Sequence, residues 1–221
     1  MEVEDHKAVV FGSDQSGRNF SGVNFGESRN LRNVNFTCAN LSGASFSNGY
    51  LGAGELHTKH PMDNACYASN LSESDFTSAD LSKSNLYGCS LVGADLSDAC
   101  VERADLGRSN CAHIVAVGTS FKDAYLSGAC FDGAQCEGAS FIGVKCGPDA
   151  IGENTKYSGQ AILDATTFRN ANLRFADFSN AILNGVDFSG ADIFGATFSG
   201  ADIQNTIRSL SEKLKTEIEG E

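Results

Sequence analysis

The sequence has no tryptophan and only two prolines in 221 residues, against 24 glycines and 15 phenylalanines. Proline cannot donate to a backbone ladder, so its scarcity beside abundant glycine indicates a repeated, hydrogen-bonded backbone rather than an ordinary α/β enzyme. Basic residues are also few: 16 Lys and Arg stand against 28 Asp and Glu, a net charge of −12. That balance argues against direct binding to nucleic acid or to an anionic membrane, which need a basic footprint, and favours a protein partner with a basic surface. No apolar run approaches the roughly 18 residues that would span a bilayer. The opening MEVEDHK is acidic where a secretory or transit peptide would be basic, so a cytoplasmic location is expected. With 41% hydrophobic residues the chain still has enough apolar material to fold.

What the sequence does contain is a five-residue period. From Leu71 to Phe141 every fifth residue is apolar, fifteen in succession, which chance would produce about once in a million trials at this composition. Two positions before each stands a small residue, as in Ser69, Ser74, Ala79, Cys89 and Ala94, with Ile114 the one large exception. Both positions therefore face a narrow interior. Neither a helix nor a strand keeps five residues in phase, so a short extended piece and a turn must alternate, which describes a solenoid. The frame slips by one residue between Phe25 and Leu31, and shifts by two after Pro148, resuming at Leu163 and Phe168. Pro61 and Pro148 both fall at interruptions, which predicts loops near 52–66 and 147–160, the first inserting a multiple of five residues.

The triplets Ala79-Asp80-Leu81, Ala94-Asp95-Leu96, Ala104-Asp105-Leu106, Ala176-Asp177-Phe178 and Ala201-Asp202-Ile203 resemble the repeats of the pentapeptide-repeat family over about residues 20 to 205. The resemblance implies an all-β fold: a right-handed quadrilateral β-helix with four repeats per coil and each residue stacked on the one twenty positions away. Residues 1–19 are then an N-terminal tail or cap. At the other end the period changes: Ile207, Leu210, Leu214 and Ile218 recur at three or four residues, and Ser209 with Glu212 matches a capping box, predicting a short α-helix over 206–221. An isolated helix of this length is marginal, so the stripe of Leu210, Leu214 and Ile218 should cover the last coil or seat a second copy in a homodimer.

Little of the sequence suggests chemistry. Cys66, Cys111, Cys136 and Cys146 occupy inward slots and Cys89 a small-residue slot, where thiols act as small hydrophobes. Cys100 and Cys130 point outward on opposite faces, and Cys38 lies at a corner. Reduced thiols are expected. His57, His60, Asp63 and Cys66 are spaced by three and are of metal-binding type, but the spacing matches no known motif and the core claims Cys66, so neither metal nor cofactor is expected. His6 and His113 have no evident partner. No nucleophile elbow, phosphate loop or dinucleotide glycine pattern occurs, and the chain reads as a non-enzyme.

The surface carries more information. Asp residues precede the inward position at 75, 80, 95, 105, 177, 187, 192 and 202 and are expected to point outward, spread over several faces. Asp75 and Asp95 should stack on one face, and Val115 and Val117 add apolar character at nominally outward positions. Ile162 and Ile182, twenty residues apart, are expected to form an apolar column. Asp75, Asp95, Val115, Val117, Ile162 and Ile182 are therefore the candidate contact residues of a protein-interaction module. The resemblance also supplies an alternative: family members that confer quinolone resistance resemble duplex DNA in width and charge and bind type II topoisomerases. Columns such as Asp75, Asp95, Val115, Gln135 mix acid with neutral residues, whereas a DNA mimic would prefer continuous acid.

Overall fold

The computed structural model describes residues 13–25, 31, 34–46, 51, 69–146 and 166–203. Within them every fifth residue joins a parallel bridge, and the bridges line up in four ladders. The first runs through Asp14, Asn35, Asn70, Ser90, Asn110, Cys130, Thr167 and Asp187, and the second through Asn19, Asn40, Asp75, Asp95, Val115, Gln135, Asn172 and Asp192. The third runs through Asn24, Ser45, Asp80, Cys100, Ser120, Ser140, Asp177 and Thr197. The fourth runs from Asn85 through Asp105, Tyr125, Lys145 and Ile182 to Asp202. The chain visits the ladders in that order and returns to the first, so the fold is a repeat β-solenoid in which the second ladder lies across from the fourth.

The register accounts for the interruptions. Consecutive rungs are usually twenty residues apart, but Asp14 pairs with Asn35, Asn35 with Asn70 and Cys130 with Thr167. These offsets exceed one coil by one, fifteen and seventeen residues, the slip, the multiple of five and the two-residue shift of the sequence pattern. The segments 52–66 and 147–160, and the terminal stretch 206–221 with Leu210, Leu214 and Ile218, lie outside the described residues. So do His57, His60, Asp63, Cys66 and Ile162. Among the described residues the first bridge is at Asp14, and Gln15, 3% exposed, fills an inward slot ahead of Phe20 that an apolar frame overlooks.

A repeat with Asp or Asn at the bridge position, such as 75–79, satisfies all five of its backbone N–H groups, which leaves no place for proline. The inward residue donates to the next coil, as Phe76 to Asp95 at 2.7 Å, and the bridge residue accepts from and donates across coils, as Asp95 to Ser74 at 2.9 Å. The second turn residue donates upward, Ser78 to Ser97 at 2.9 Å, and the small residue closes its own turn, Ala79 to Phe76 at 2.9 Å. Only the first turn residue is left, and the Asp or Asn side chain two positions before it accepts that proton: Thr77 donates to Asp75 Oδ1 at 2.9 Å, Ser97 to Asp95 Oδ1 at 2.9 Å and Ser42 to Asn40 Oδ1 at 3.1 Å. These are Asx turns. The second turn residue sits at positive φ throughout, which suits glycine and asparagine and strains others.

The inward residues stack. Phe121, Phe141, Phe178 and Phe198 form one column with ring centroids 4.8, 4.7 and 5.1 Å apart and planes within 5° of parallel. A second column, Phe131, Phe168 and Phe188, meets it edge-on. Between this aromatic segment and the earlier rings Phe20, Phe25, Phe36, Phe46 and Phe76 lies a waist of Leu81, Leu86, Leu91, Leu96, Val101 and Leu106, all buried. Hydroxyls in the small slots are satisfied by carbonyls: Ser84 Oγ donates to Leu81 at 2.6 Å and Thr119 Oγ1 to Leu96 at 2.6 Å. Dispersion and area burial thus act along the whole axis, about 0.8 kcal/mol for each buried methylene.

Candidate protein-interaction surface

An Asn makes the same Asx turn as an Asp, as Asn19, Asn40 and Asn172 do on the second ladder. Where the fold uses a side-chain acceptor at these positions, it does not need a charge. Where Asp is used, its charge is free to serve another purpose. The aspartates of the pattern are spread over all four ladders, but the charged residues of the turns are not evenly placed. Among the described residues, the second ladder and the turns on either side of it carry Glu73, Asp75, Asp95, Asp98, Asp132, Glu137 and Asp192 against Arg18, Arg169 and Arg174. The fourth ladder and its turns carry Glu102, Asp105, Asp123 and Asp202 against Lys83, Arg103, Arg108, Lys122 and Lys145. One side is acidic and the other is slightly basic.

Four of the six candidate contact residues fall together on the acidic side. Asp75, Asp95 and Val115 are successive rungs of the second ladder, and Val117, 43% exposed, lies on the turn that follows Val115. Adjacent rungs are about 4.8 Å apart, so Asp75 and Asp95 repel one another across a wet surface. Ile182, 38% exposed, stands instead on the fourth ladder. The rung beneath Ile182 is Lys145 and the rung above it is Asp202, while Ile162 lies outside the described residues. A spacing of twenty residues does not hold across the insertion between Cys146 and Thr166.

Asp187 is a second correction, since it is buried rather than outward. Burial alone would push its carboxyl up, but the Ser189 hydroxyl, the Arg169 guanidinium at 2.6 Å and the Ser189 N–H hold it below the ordinary 3.8. Asp192 is likewise held down, by the Phe194 N–H and by Arg174 at 3.0 Å. Asp105 behaves in the opposite way: burial raises its carboxyl and only the Gly107 N–H opposes this. The Tyr87 ring covers that place so closely that a Cβ on Gly107 would meet ring carbons at 2.9 and 3.0 Å.

The thiols follow the inward pattern. Cys89, Cys111, Cys136 and Cys146 are buried, and burial pushes Cys111 and Cys146 up to about 12. Cys38 is exposed and its thiol donates to Glu73 Oε2 at 3.3 Å, which raises it. Cys100 and Cys130 stand on the third and first ladders, across the coil from one another. No group of three or more possible metal ligands occurs among the described residues, and His113 projects from a turn over Gly133. No helix among them is long and apolar enough to cross a membrane.

One feature has no precursor in the pentapeptide pattern. Phe175 and Phe194 occupy turn positions, not inward ones, and are 53% and 55% exposed. Their rings meet edge-to-face at 5.7 Å, and the Arg174 guanidinium lies 4.6 Å from the Phe194 centroid while pairing with Asp192. The five-residue frame assigns both phenylalanines to turns, so a search for inward residues passes over them. Counting large apolar residues at turn positions would have found them.

A family model described as pentapeptide repeats matches eight copies over residues 16–51, 69–108, 119–147 and 171–207. Among solved structures, HetL, a pentapeptide repeat protein involved in heterocyst differentiation regulation from the cyanobacterium Nostoc, is 23% identical with a TM-score of 0.35, covering 86% of this chain and 83% of its own. QnrB1, a plasmid-mediated fluoroquinolone resistance protein, is 16% identical with a TM-score of 0.46, covering 89% of each chain. A pentapeptide repeat protein of the Arabidopsis thaliana thylakoid lumen is 17% identical with a TM-score of 0.29, covering 86% of this chain and 76% of its own. None of the curated proteins compared with the chain matches it.

Proposed function

The chain belongs to the pentapeptide-repeat family, and from that premise we propose that it is a cytoplasmic, non-enzymatic interaction module whose acidic side docks a protein with a basic surface. The observation that carries this reading is the sidedness of charge: seven acids around the second ladder, three of them, Asp75, Asp95 and Asp192, at bridge positions where Asn serves the backbone equally well. Among the described residues the interior is filled by packed side chains, which supports a non-enzymatic role. In this reading the coils turn right-handed around a four-sided core, and a helix over 206–221 closes the last coil or joins two copies through Leu210, Leu214 and Ile218.

Mimicry of DNA before a type II topoisomerase is the competing function. It requires a nearly continuous run of acid along the axis, and here the second ladder passes from Asp95 through Val115, Gln135 and Asn172 before Asp192. The apolar break fits a mixed protein contact better. Two experiments test the assignment. Pull-down from the native host should retain a basic protein on the wild type and release it with rising salt. Supercoiling by gyrase, with and without a quinolone, should be unaffected at micromolar protein; protection lost in Asp75→Asn with Asp95→Asn would replace the proposal by mimicry.

A further inference from the structure

Val117, Phe175 and Phe194, three of the four exposed large hydrophobic residues described, lie on one edge of the solenoid, the turn between the second and third ladders. From one coil to the next this edge presents Asp98, Val117, Glu137, then Arg174 with Phe175, then Phe194. Acid and apolar residues thus alternate over four coils at steps of about 4.8 Å, and Phe194 adds a second apolar step beside Phe175. The single base, Arg174, is held by Asp192 and lies against both rings.

The fold does not need these rings. Phe175 sits at φ 57°, a left-handed conformation that is strained for an aromatic residue, and Gly138, in the same slot one coil below, takes it freely. Gly195, one coil above at φ 70°, is bare beneath the Phe175 ring: a Cβ there would meet ring carbons too closely to fit.

We infer that the edge is the docking line for a basic amphipathic helix of a partner protein. This deepens the interaction reading and rests on it. An α-helix rises 1.5 Å per residue, so three or four residues climb one coil. A helix laid along the axis with basic and apolar residues alternating every three or four positions places cations against Asp98 and Glu137, and aliphatic side chains on Val117, Phe175 and Phe194. Charge complementarity favours this occupant over a second copy, whose own edge would set acid against acid.

The test uses the full chain and a fluorescein-labelled, alanine-based helical peptide carrying Lys and Leu in that alternation, with binding read by anisotropy at moderate salt. Phe175→Ser with Phe194→Ser should weaken binding at least tenfold, as should Glu137→Lys, while Ile182→Ser on the opposite side should leave it within twofold. Circular dichroism checks that each variant keeps the wild-type fold; Phe175→Gly alone, which relieves strain, should also lose affinity. Equal binding by the two-Phe variant and Ile182→Ser, or no binding to wild type, overturns the inference and leaves the host pull-down to judge the wider reading. Dimers that dissociate on Phe175→Ser with Phe194→Ser assign the edge to a second copy, and binding that appears only in Leu210→Glu with Leu214→Glu assigns it to the chain's own terminus. Either result also overturns it.

Discussion

The two opposite sides of this solenoid are built on the same backbone and present different surfaces. The second and fourth ladders share their hydrogen-bond scheme, their turns and a similar interior lining, in which Leu96 underlies one and Leu106 the other. Outside, one side gathers acids with two valines and the other alternates cations with acids around Tyr125 and Lys145. The comparison teaches that the coil constrains what faces inward and leaves the charge of the outward residues undetermined. Charge is therefore the place to look for function.

The largest effect tests the shared interior. Leu96→Ala and Leu106→Ala should cost the same, about 2–5 kcal/mol each by chemical denaturation. A difference much above about 1 kcal/mol would break the claim that the core is indifferent to the side it lies under. Ion pairs should come next and should differ. Asp187→Ala removes a buried carboxylate bonded to Arg169 and Ser189 and should cost about 2 kcal/mol, whereas Asp123→Asn disturbs an exposed pair with Arg103 at 3.9 Å and should change stability by less than about 0.5 kcal/mol. Because the folded Asp187 carboxyl lies below 3.8, its contribution is fully present above that pH and is lost as pH falls through the lower, folded value. Acid titration of wild type against Asp187→Asn measures it.

Removing single acids sharpens the contrast further. Asp75→Asn with Asp95→Asn keeps both Asx turns and should raise stability by about 0.5–1 kcal/mol at low salt, fading as salt screens the repulsion. On the other side, Asp105→Asn should stabilise by about 1 kcal/mol with little salt dependence, since burial rather than repulsion is relieved. The raised folded carboxyl makes ionisation costly, so stability falls as pH rises from 3.8 through the raised value, and the gain from Asp105→Asn should vanish below pH 3.8. The smallest effect concerns rates: Cys38 should react with a thiol reagent well before Cys111 and Cys146, whose buried thiols stand near 12.

The period of five and its two phase changes made the stacking legible from sequence, because each inward slot accepts so few residue types. Gln15 escaped that reading since a single polar residue can fill an inward slot ahead of Phe20. The rung partners of Ile182, Lys145 and Asp202, were not legible, because the length of the insertion before Ile182 sets the register and the sequence marks only its phase. The role of Asp as the acceptor for the fifth N–H was legible in principle, since Asn alternates with Asp at those positions. The sidedness of charge was not, for it appears only when residues from eight coils are assigned to ladders. Phe175 and Phe194 were hidden for the converse reason: the frame that reveals the core discards turn positions.

The central claim, that the acidic side makes the contact, is tested most directly by titrating the host partner against matched variants of the two sides. Asp75→Asn with Asp95→Asn should lower its affinity about tenfold, roughly 1.4 kcal/mol, and flatten its salt dependence. Lys83→Asn with Arg103→Asn, which alters as many charges on the opposite side at turn positions that tolerate Asn, should leave affinity within about twofold. The reverse pattern, or equal losses from both pairs, would contradict the account.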